Sequence, residues 1–583
     1  MRKFAAFILG LALLLAGSCT RTVLKTDLSL DSSERHWAQN TLKKLTLEEK
    51  IGQMIGLRYT GRFLNRDSEG LSDLKRWVVE YHLGGLILTQ GDVYETAILT
   101  NTLQNEAKIP LLIAADLERG LGNQLDGATL FPPFMSIGAT GSSDLAYAMG
   151  KITALEARAV GLHMTYAPVV DVNNNPDNPI INVRSFGEDP KEVARLGIAF
   201  IRGCQDNGLI ATAKHFPGHG DTDLDSHSEL PVIPGDRERL DRIELYPFKK
   251  AIEAGVMAIM SAHLQVPALD PTPHLPATLS RPILTDLLRN EYGYRGLIVT
   301  DAMEMGGIAA LYPPEEAALK AILAGADMLL LPLETEDVIL FLVKSVKSGD
   351  LSESRIDASV RRILQVKARL GLHKTRSVNT EELDTVVASA RNRALAQLAF
   401  EKSLTLVKNE KDVLPVPEQG KKIAVLSLSS DPGGYFAGRP FVSALKKRNP
   451  EISEFYAEAS TGKEYFPGAL LLAQKADVVI VALYSRLSAW KGSVDLNPRH
   501  IELIQELARG SVPVVVISFN SPYFLKHFPH IDAYICAYRH ADLSQEAVVR
   551  ALFGEIGLDG RLPVSIPDLY PAGHGLILLP LEK

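Results

Sequence analysis

The residues best equipped for chemistry crowd into one segment, Lys214-His215-Phe216-Pro217-Gly218-His219-Gly220-Asp221-Thr222, which runs on to Asp225-Ser226-His227. Its imidazoles, carboxylates and ammonium could relay protons, ligate a divalent ion or grip a hydroxyl-rich ligand. Glycines and a proline make the segment a loop that can hold charged groups over a pocket and still move. Three histidines and three aspartates invite a metal reading, although their spacing matches none of the usual zinc patterns. A polar loop without catalysis is the other alternative.

Such a loop needs a scaffold, and the flanking sequence describes one. Short apolar runs at 53–57, 85–89, 111–117, 163–172, 210–215, 256–262, 297–301 and 327–332 look like buried parallel strands, each followed by a stretch of helical period. About eight such units predict an α/β fold, a closed (β/α)8 TIM-like barrel over 27–373 rather than an open sheet. In barrels the chemistry lies where strands end at their carboxyl side. There the chain places Asp116, Glu118, Asp171, Lys214, His215, Ser261, His263 and Asp301. So many polar residues at strand ends predict a polar pocket.

A helical stretch at 352–370 closes this unit, and 374–395 reads as a linker opening with a polar segment. Apolar runs at 422–428, 477–484, 512–519 and 533–538 then predict a smaller αβα sandwich over 396–583, with a parallel sheet and no phosphate-binding glycine loop. No residue beyond position 421 announces itself as catalytic, so packing against the barrel is the expected role of this domain.

The run KHFPGHGDT at 214–222 with DSH at 225–227 resembles the signature of the β-N-acetylglucosaminidases of glycoside hydrolase family 3, the group acting in bacterial cell-wall recycling. DLERGLG at 116–122, NVRSFGEDP at 182–190 and TDAMEM at 300–305 stand in the family's order and spacing. So do SLTLVKN at 403–409 and LFGEIGLDGRLPVSIP at 552–567 in the second domain. The resemblance implies a retaining, exo-acting enzyme that releases terminal N-acetylglucosamine from muropeptides or chitin-type oligosaccharides, without metal or organic cofactor.

It also implies roles. Asp301 matches the nucleophile, which attacks the anomeric carbon to form a covalent glycosyl-enzyme. His227 matches the acid/base and Asp225 its partner. A carboxylate two residues away can hold one imidazole nitrogen and raise its basicity, leaving the other to protonate the departing oxygen and then to deprotonate water. Such an acid/base is uncharged once deprotonated, which suits acidic substrates and keeps phosphorolysis open. Asp116, Arg184, Lys214 and His215 match residues that hold the terminal sugar, by charge-assisted hydrogen bonds. For Arg184 an ion pair with an acid such as Glu188 is the structural alternative, and for Lys214 an ion pair at the barrel rim. His219 and His263 read equally as structure or ligand. The segment Leu117-Glu118-Arg119-Gly120-Leu121-Gly122-Asn123 departs from the glycines and second arginine common in the recycling members, which leaves contacts beyond the terminal sugar open.

Composition narrows the remaining classes. A formal net charge of -7 with 22% charged residues carries no basic footprint, so nucleic acid is not an expected partner. Arg2 and Lys3 precede an apolar run at 4–16, too short to span a membrane, then small residues and Cys19. This resembles a bacterial lipobox, with Ala16 where leucine is commoner. It predicts a lipoprotein signal peptide over 1–19 and an exported protein anchored through lipidated Cys19, facing the periplasm or cell exterior. An ordinary secretory peptide is the alternative. Cys204 and Cys536 lie in apolar contexts and are expected as buried free thiols. A β-glucosidase of the same family, a non-catalytic glycan-binding lipoprotein and a barrel metal hydrolase are the competing functions.

Overall fold

The computed structural model describes residues 30–417, 420–485 and 496–582; Cys19 and the signal sequence before it lie outside the described residues. Eight parallel strands form the barrel of the first domain: β1 Ile55–Gly61, β2 Gly85–Asp92, β3 Leu112–Ala115, β4 Met164–Thr165, β5 Ile210–Phe216, β6 Ala258–Ser261, β7 Leu297–Ala302 and β8 Met328–Leu330, with a two-residue strand, Leu125–Asp126, added beside the end of β2. Each pairs with the next, and β1 pairs with both β2 and β8, so the sheet is a closed barrel. Closure buries the strands on both faces, which is why they read as continuous apolar runs rather than alternating ones. The run at 163–172 contributes only a two-residue strand, because Pro168 has no N–H to continue the ladder. The chain beyond it still follows β5, with Val170 N–H donating to Lys214 O at 2.8 Å. The helix Glu353–Arg369, capped by Ser352, packs against the barrel's outside.

The second domain is a six-stranded sheet of β9 Thr405–Asn409, β10 Ile423–Ser429, β11 Ser453–Ala457, β12 Val478–Tyr484, β13 Val514–Ser518 and β14 Ala533–Cys536, in the order β9-β14-β13-β12-β10-β11. Alternate residues of β12 serve opposite faces. Val479, Val481 and Leu483 join one apolar core, and Val478, Ile480, Ala482 and Tyr484 the other. The sheet departs from the all-parallel expectation at one edge, where β9 runs antiparallel to β14. The carboxy-terminal tail covers that edge, with Leu576 N–H donating to Leu406 O at 2.7 Å. Two strands have no counterpart among the expected runs. Both lie at sheet edges, and β11, SEFYA, is half exposed, so its mixed composition hides it. Cys204 and Cys536 are buried free thiols, and burial pushes both thiols up.

The two domains share a tight seam. Glu188 accepts hydrogen bonds from Ser565 N–H at 2.7 Å and Ser565 Oγ at 2.6 Å. It therefore binds the second domain and is no partner of Arg184. A β-carbon on Gly138 would lie 1.9 Å from Phe186 O and 3.1 Å from Pro563, so only glycine lets these segments approach so closely. Met135, Ala139 and Val183 of the barrel domain belong to the second domain's core.

Candidate active site

A cleft of about 730 Å3 opens at the carboxyl ends of the barrel strands. Asp116, Glu118, Arg184, Lys214, His215, His219, His227 and Asp301, scattered along the sequence, all reach it. Asp171, Asp225, Ser261 and His263 stand behind the wall as supports, all buried.

One ion-pair chain crosses the floor. The buried Lys214 Nζ lies 2.7 Å from Asp116 Oδ1 and 2.9 Å from Glu118 Oε1. Glu118 in turn accepts from Arg184 Nη2 at 2.7 Å and Nε at 3.0 Å, a two-pronged pair. Both basic residues are therefore in ion pairs as well as in the cleft, with Glu118 as the acid that joins them. Burial opposes the charge on Glu118, but Arg184 and Lys214 outweigh it and hold the carboxyl well below the usual range. Burial likewise opposes the Lys214 charge, and Asp116 and Glu118 more than compensate.

The three imidazoles of the loop take separate partners. His215 Nδ1 lies 2.7 Å from Asp171 Oδ2, and both backbone N–H groups of His215 and His219 also donate to that fully buried carboxylate. His219 Nε2 meets Ser226 Oγ at 2.8 Å, and burial lowers this imidazole to about 4, which keeps it neutral. His227 Nδ1 lies 2.7 Å from Asp225 Oδ1, which also accepts the His227 backbone N–H at 2.9 Å. A carboxylate can only accept here, so Nδ1 carries the proton. Among the described residues, no three histidine, cysteine, aspartate or glutamate side chains converge as a metal ligand set.

Asp301 sits near the end of β7, with Oδ1 accepting Ala302 N–H at 2.8 Å. Burial alone would raise its carboxyl, but His215, His263, Lys214 and the Ala302 N–H bring it down to about 2. Burial also lowers His263. His263 bonds Thr278 Oγ1 at 2.9 Å and Ala302 O at 3.0 Å, a bracing role for the β7 exit.

The two candidate groups are tied through backbone. Gly306 N–H donates to His227 O at 2.8 Å and Gly307 N–H to Ser226 O at 3.1 Å, so the segment after Asp301 grips the segment around His227. A β-carbon at either glycine would come within 2.9 Å of carbonyl oxygens in that loop. Asn178 anchors the same loop, donating to His219 O at 2.9 Å and Gly220 O at 3.0 Å.

Several cleft residues were beyond sequence reasoning. Arg58 from β1 pairs with Glu304 at 2.6 Å. The second domain contributes Ser485, Phe519, Asn520, Tyr538, Arg539 and His540 from the carboxyl ends of β12, β13 and β14. That sheet edge faces the barrel mouth, so the second domain forms part of the cleft wall. The available signal was positional, since ligands of open α/β sheets gather at strand carboxyl ends.

Residues 46–366 match the glycosyl hydrolase family 3 N-terminal domain, and 404–572 match the family's C-terminal domain. The chain is 32% identical to a β-N-acetylglucosaminidase/β-glucosidase of Cellulomonas fimi over 92% of this chain and 97% of that one. Among solved structures, a family 3 β-N-acetylglucosaminidase from Paenibacillus is 34% identical with a TM-score of 0.80, covering 90% of this chain and 99% of that one. A β-glucoside phosphorylase is 29% identical with a TM-score of 0.83, covering 92% and 97%.

Proposed function

Since the chain belongs to glycosyl hydrolase family 3 and is a glycosidase, we propose that it is a retaining, exo-acting β-N-acetylglucosaminidase working on cell-wall muropeptides or chitin-type oligosaccharides. The observation that carries this reading is the pairing of His227 with Asp225 at 2.7 Å on the wall of the cleft that Asp301 also lines. Asp301, ionised, attacks the anomeric carbon as the C–O bond to the leaving group breaks. His227 Nε2 gives its proton to the departing oxygen while Asp225 shares the positive charge of the imidazolium. In the second step Nε2 takes a proton from water, whose oxygen displaces Asp301 and restores the β-configuration. Asp116, Lys214, Arg184 and His215 hold the terminal sugar. Export and anchoring through Cys19 would bring this cleft to a glycan substrate outside the cytoplasm.

Likeness to a β-glucoside phosphorylase and to an enzyme named for both sugars favours a second reading, a β-glucosidase or phosphorylase cleft. The deciding assay compares 4-nitrophenyl β-N-acetylglucosaminide with the β-glucoside for wild type, Asp301→Ala and His227→Ala, with and without phosphate. Preference for the acetamido sugar, with a loss of about 1,000-fold or more at Asp301 and a smaller one at His227, is expected. Preference for the glucoside, or product appearing as sugar 1-phosphate, would replace the proposal by the second reading.

A further inference from the structure

The charges of the cleft are almost fully matched within it. Arg58 has Glu304, Arg184 has Glu118, and Lys214 has Asp116 and Glu118. Arg119 is different. It lines the cleft, yet among the described residues its side chain makes no hydrogen bond or ion pair, and its buried Nε has no acceptor. An arginine cannot shed its proton to escape this, and the one nearby acid that favours its charge, Glu118, already bonds Arg184 and Lys214. The buried Asn123 Oδ1, on the same loop and also in the cleft wall, is likewise unsatisfied. Both residues line the cleft, although these two atoms are themselves buried.

Placement says which part of a ligand could meet them. Asp116, which the proposed function gives to the terminal sugar, stands directly after β3; Arg119 lies further along the loop. That loop continues to Pro133 and Phe134, also in the cleft wall, and Phe134 begins the helix whose Met135 and Ala139 enter the second domain's core. The second domain brings Arg539 and His540 to the same cleft.

We propose that Arg119 recognises an oxyanion beside the reacting sugar, either a carboxylate carried by the leaving group or a phosphate entering as acceptor. A guanidinium presents paired donors to both through the same planar fork. This rests on the glycoside-cleaving reading of the cleft.

The test compares wild type, Arg119→Gln and Arg119→Lys on two glycosides of one sugar, the neutral phenyl and the 4-carboxyphenyl β-N-acetylglucosaminide, with phosphate present or absent. Calorimetric titration with inorganic phosphate reads the site without turnover. In Arg119→Gln, kcat/KM for the carboxylated glycoside should fall by on the order of tenfold more than for the neutral one, with partial rescue by lysine, if the leaving group is the source. Loss of phosphate binding together with sugar 1-phosphate formation would identify the acceptor as the source. Equal effects on both glycosides, with phosphate binding unchanged, would mean that Arg119 only braces its loop and would overturn the inference. Failure of wild type to cleave either glycoside sinks the glucosaminidase reading instead, while the calorimetry still decides on Arg119.

Discussion

A carboxylate enclosed between a guanidinium and an ammonium is easily kept ionised and hard to remove without harm. Glu118 is in that position, and its loss would leave Arg184 and Lys214 short of a counter-charge in a desolvated site. Glu118→Gln should therefore lower stability by roughly 3–5 kcal/mol near neutral pH. The pH dependence has a definite sign. A carboxyl held low in the fold stabilises above the ordinary carboxylate range and ceases to do so as pH falls through its folded value. Melting temperatures of wild type and variant should converge as the solution is acidified, and a gap independent of pH would argue against the ion-pair account. Asp301 makes a second prediction at this scale. Held at about 2, it stays a competent nucleophile in mild acid. With a 2,4-dinitrophenyl glycoside, whose departure needs no proton, the burst rate should be flat from about pH 6 to about pH 3. A fall centred near the ordinary aspartate value would show that Lys214 and its neighbours do not protect the carboxylate. At residue scale the sequence was readable where type and position agreed: Asp301, Lys214 and His215 end apolar runs, and the Asp225 and His227 spacing allows their bond. Arg119 and the Arg58–Glu304 pair were not readable, because an arginine's partner is a matter of tertiary placement.

Among elements, the telling contact joins the exits of β7 and β5. Gly306 and Gly307 lie against the backbone around His227, so neither can carry a β-carbon without displacing that loop. Gly306→Ala and Gly307→Ala should lower kcat by roughly 10–100-fold with smaller change in KM, since misplacing a proton donor by about 1 Å has that scale of effect. Asn178→Ala, which frees the His219–Gly220 end of the same loop, should behave similarly and lose about 1–3 kcal/mol through unsatisfied carbonyls. A KM effect alone in these variants would show that the loop binds sugar without positioning the acid/base. The barrel strands were legible because burial on both faces makes them continuous apolar runs. The edge strand β11 was not, because an exposed edge needs less burial and tolerates polar residues such as its Glu454, and β9, though mostly buried, is only five residues long with lysine and asparagine at its end.

In the whole molecule, the cleft belongs to both domains, and its integrity depends on their seam. Glu188→Ala removes two charge-assisted bonds to Ser565 and should loosen the seam before it loosens either core. In a urea titration of that variant, activity should disappear at lower concentration than far-ultraviolet circular dichroism. Coincident loss would mean that the domains unfold as one unit whatever the seam. At the other end of the chain, Cys19→Ser should move the protein from the membrane fraction to the soluble exported fraction, and an unchanged distribution would remove the lipid-anchor proposal. The division into a barrel and a smaller sandwich was legible from the spacing of apolar runs. The second domain's share of the cleft was not, because it depends on how two separately patterned units face each other.

The antiparallel edge of the second sheet also bears on how the protein is made. The barrel can close once β8 has emerged from the ribosome, since β1 then has both neighbours. The other domain must wait, because among the described residues its first strand, β9, pairs within the sheet only with its last, β14, and the segment that covers β9 comes later still. The residues that seal the second domain therefore follow its whole sheet in the chain, and a nascent chain that has not yet reached them carries a finished barrel beside an open, adhesive sheet edge.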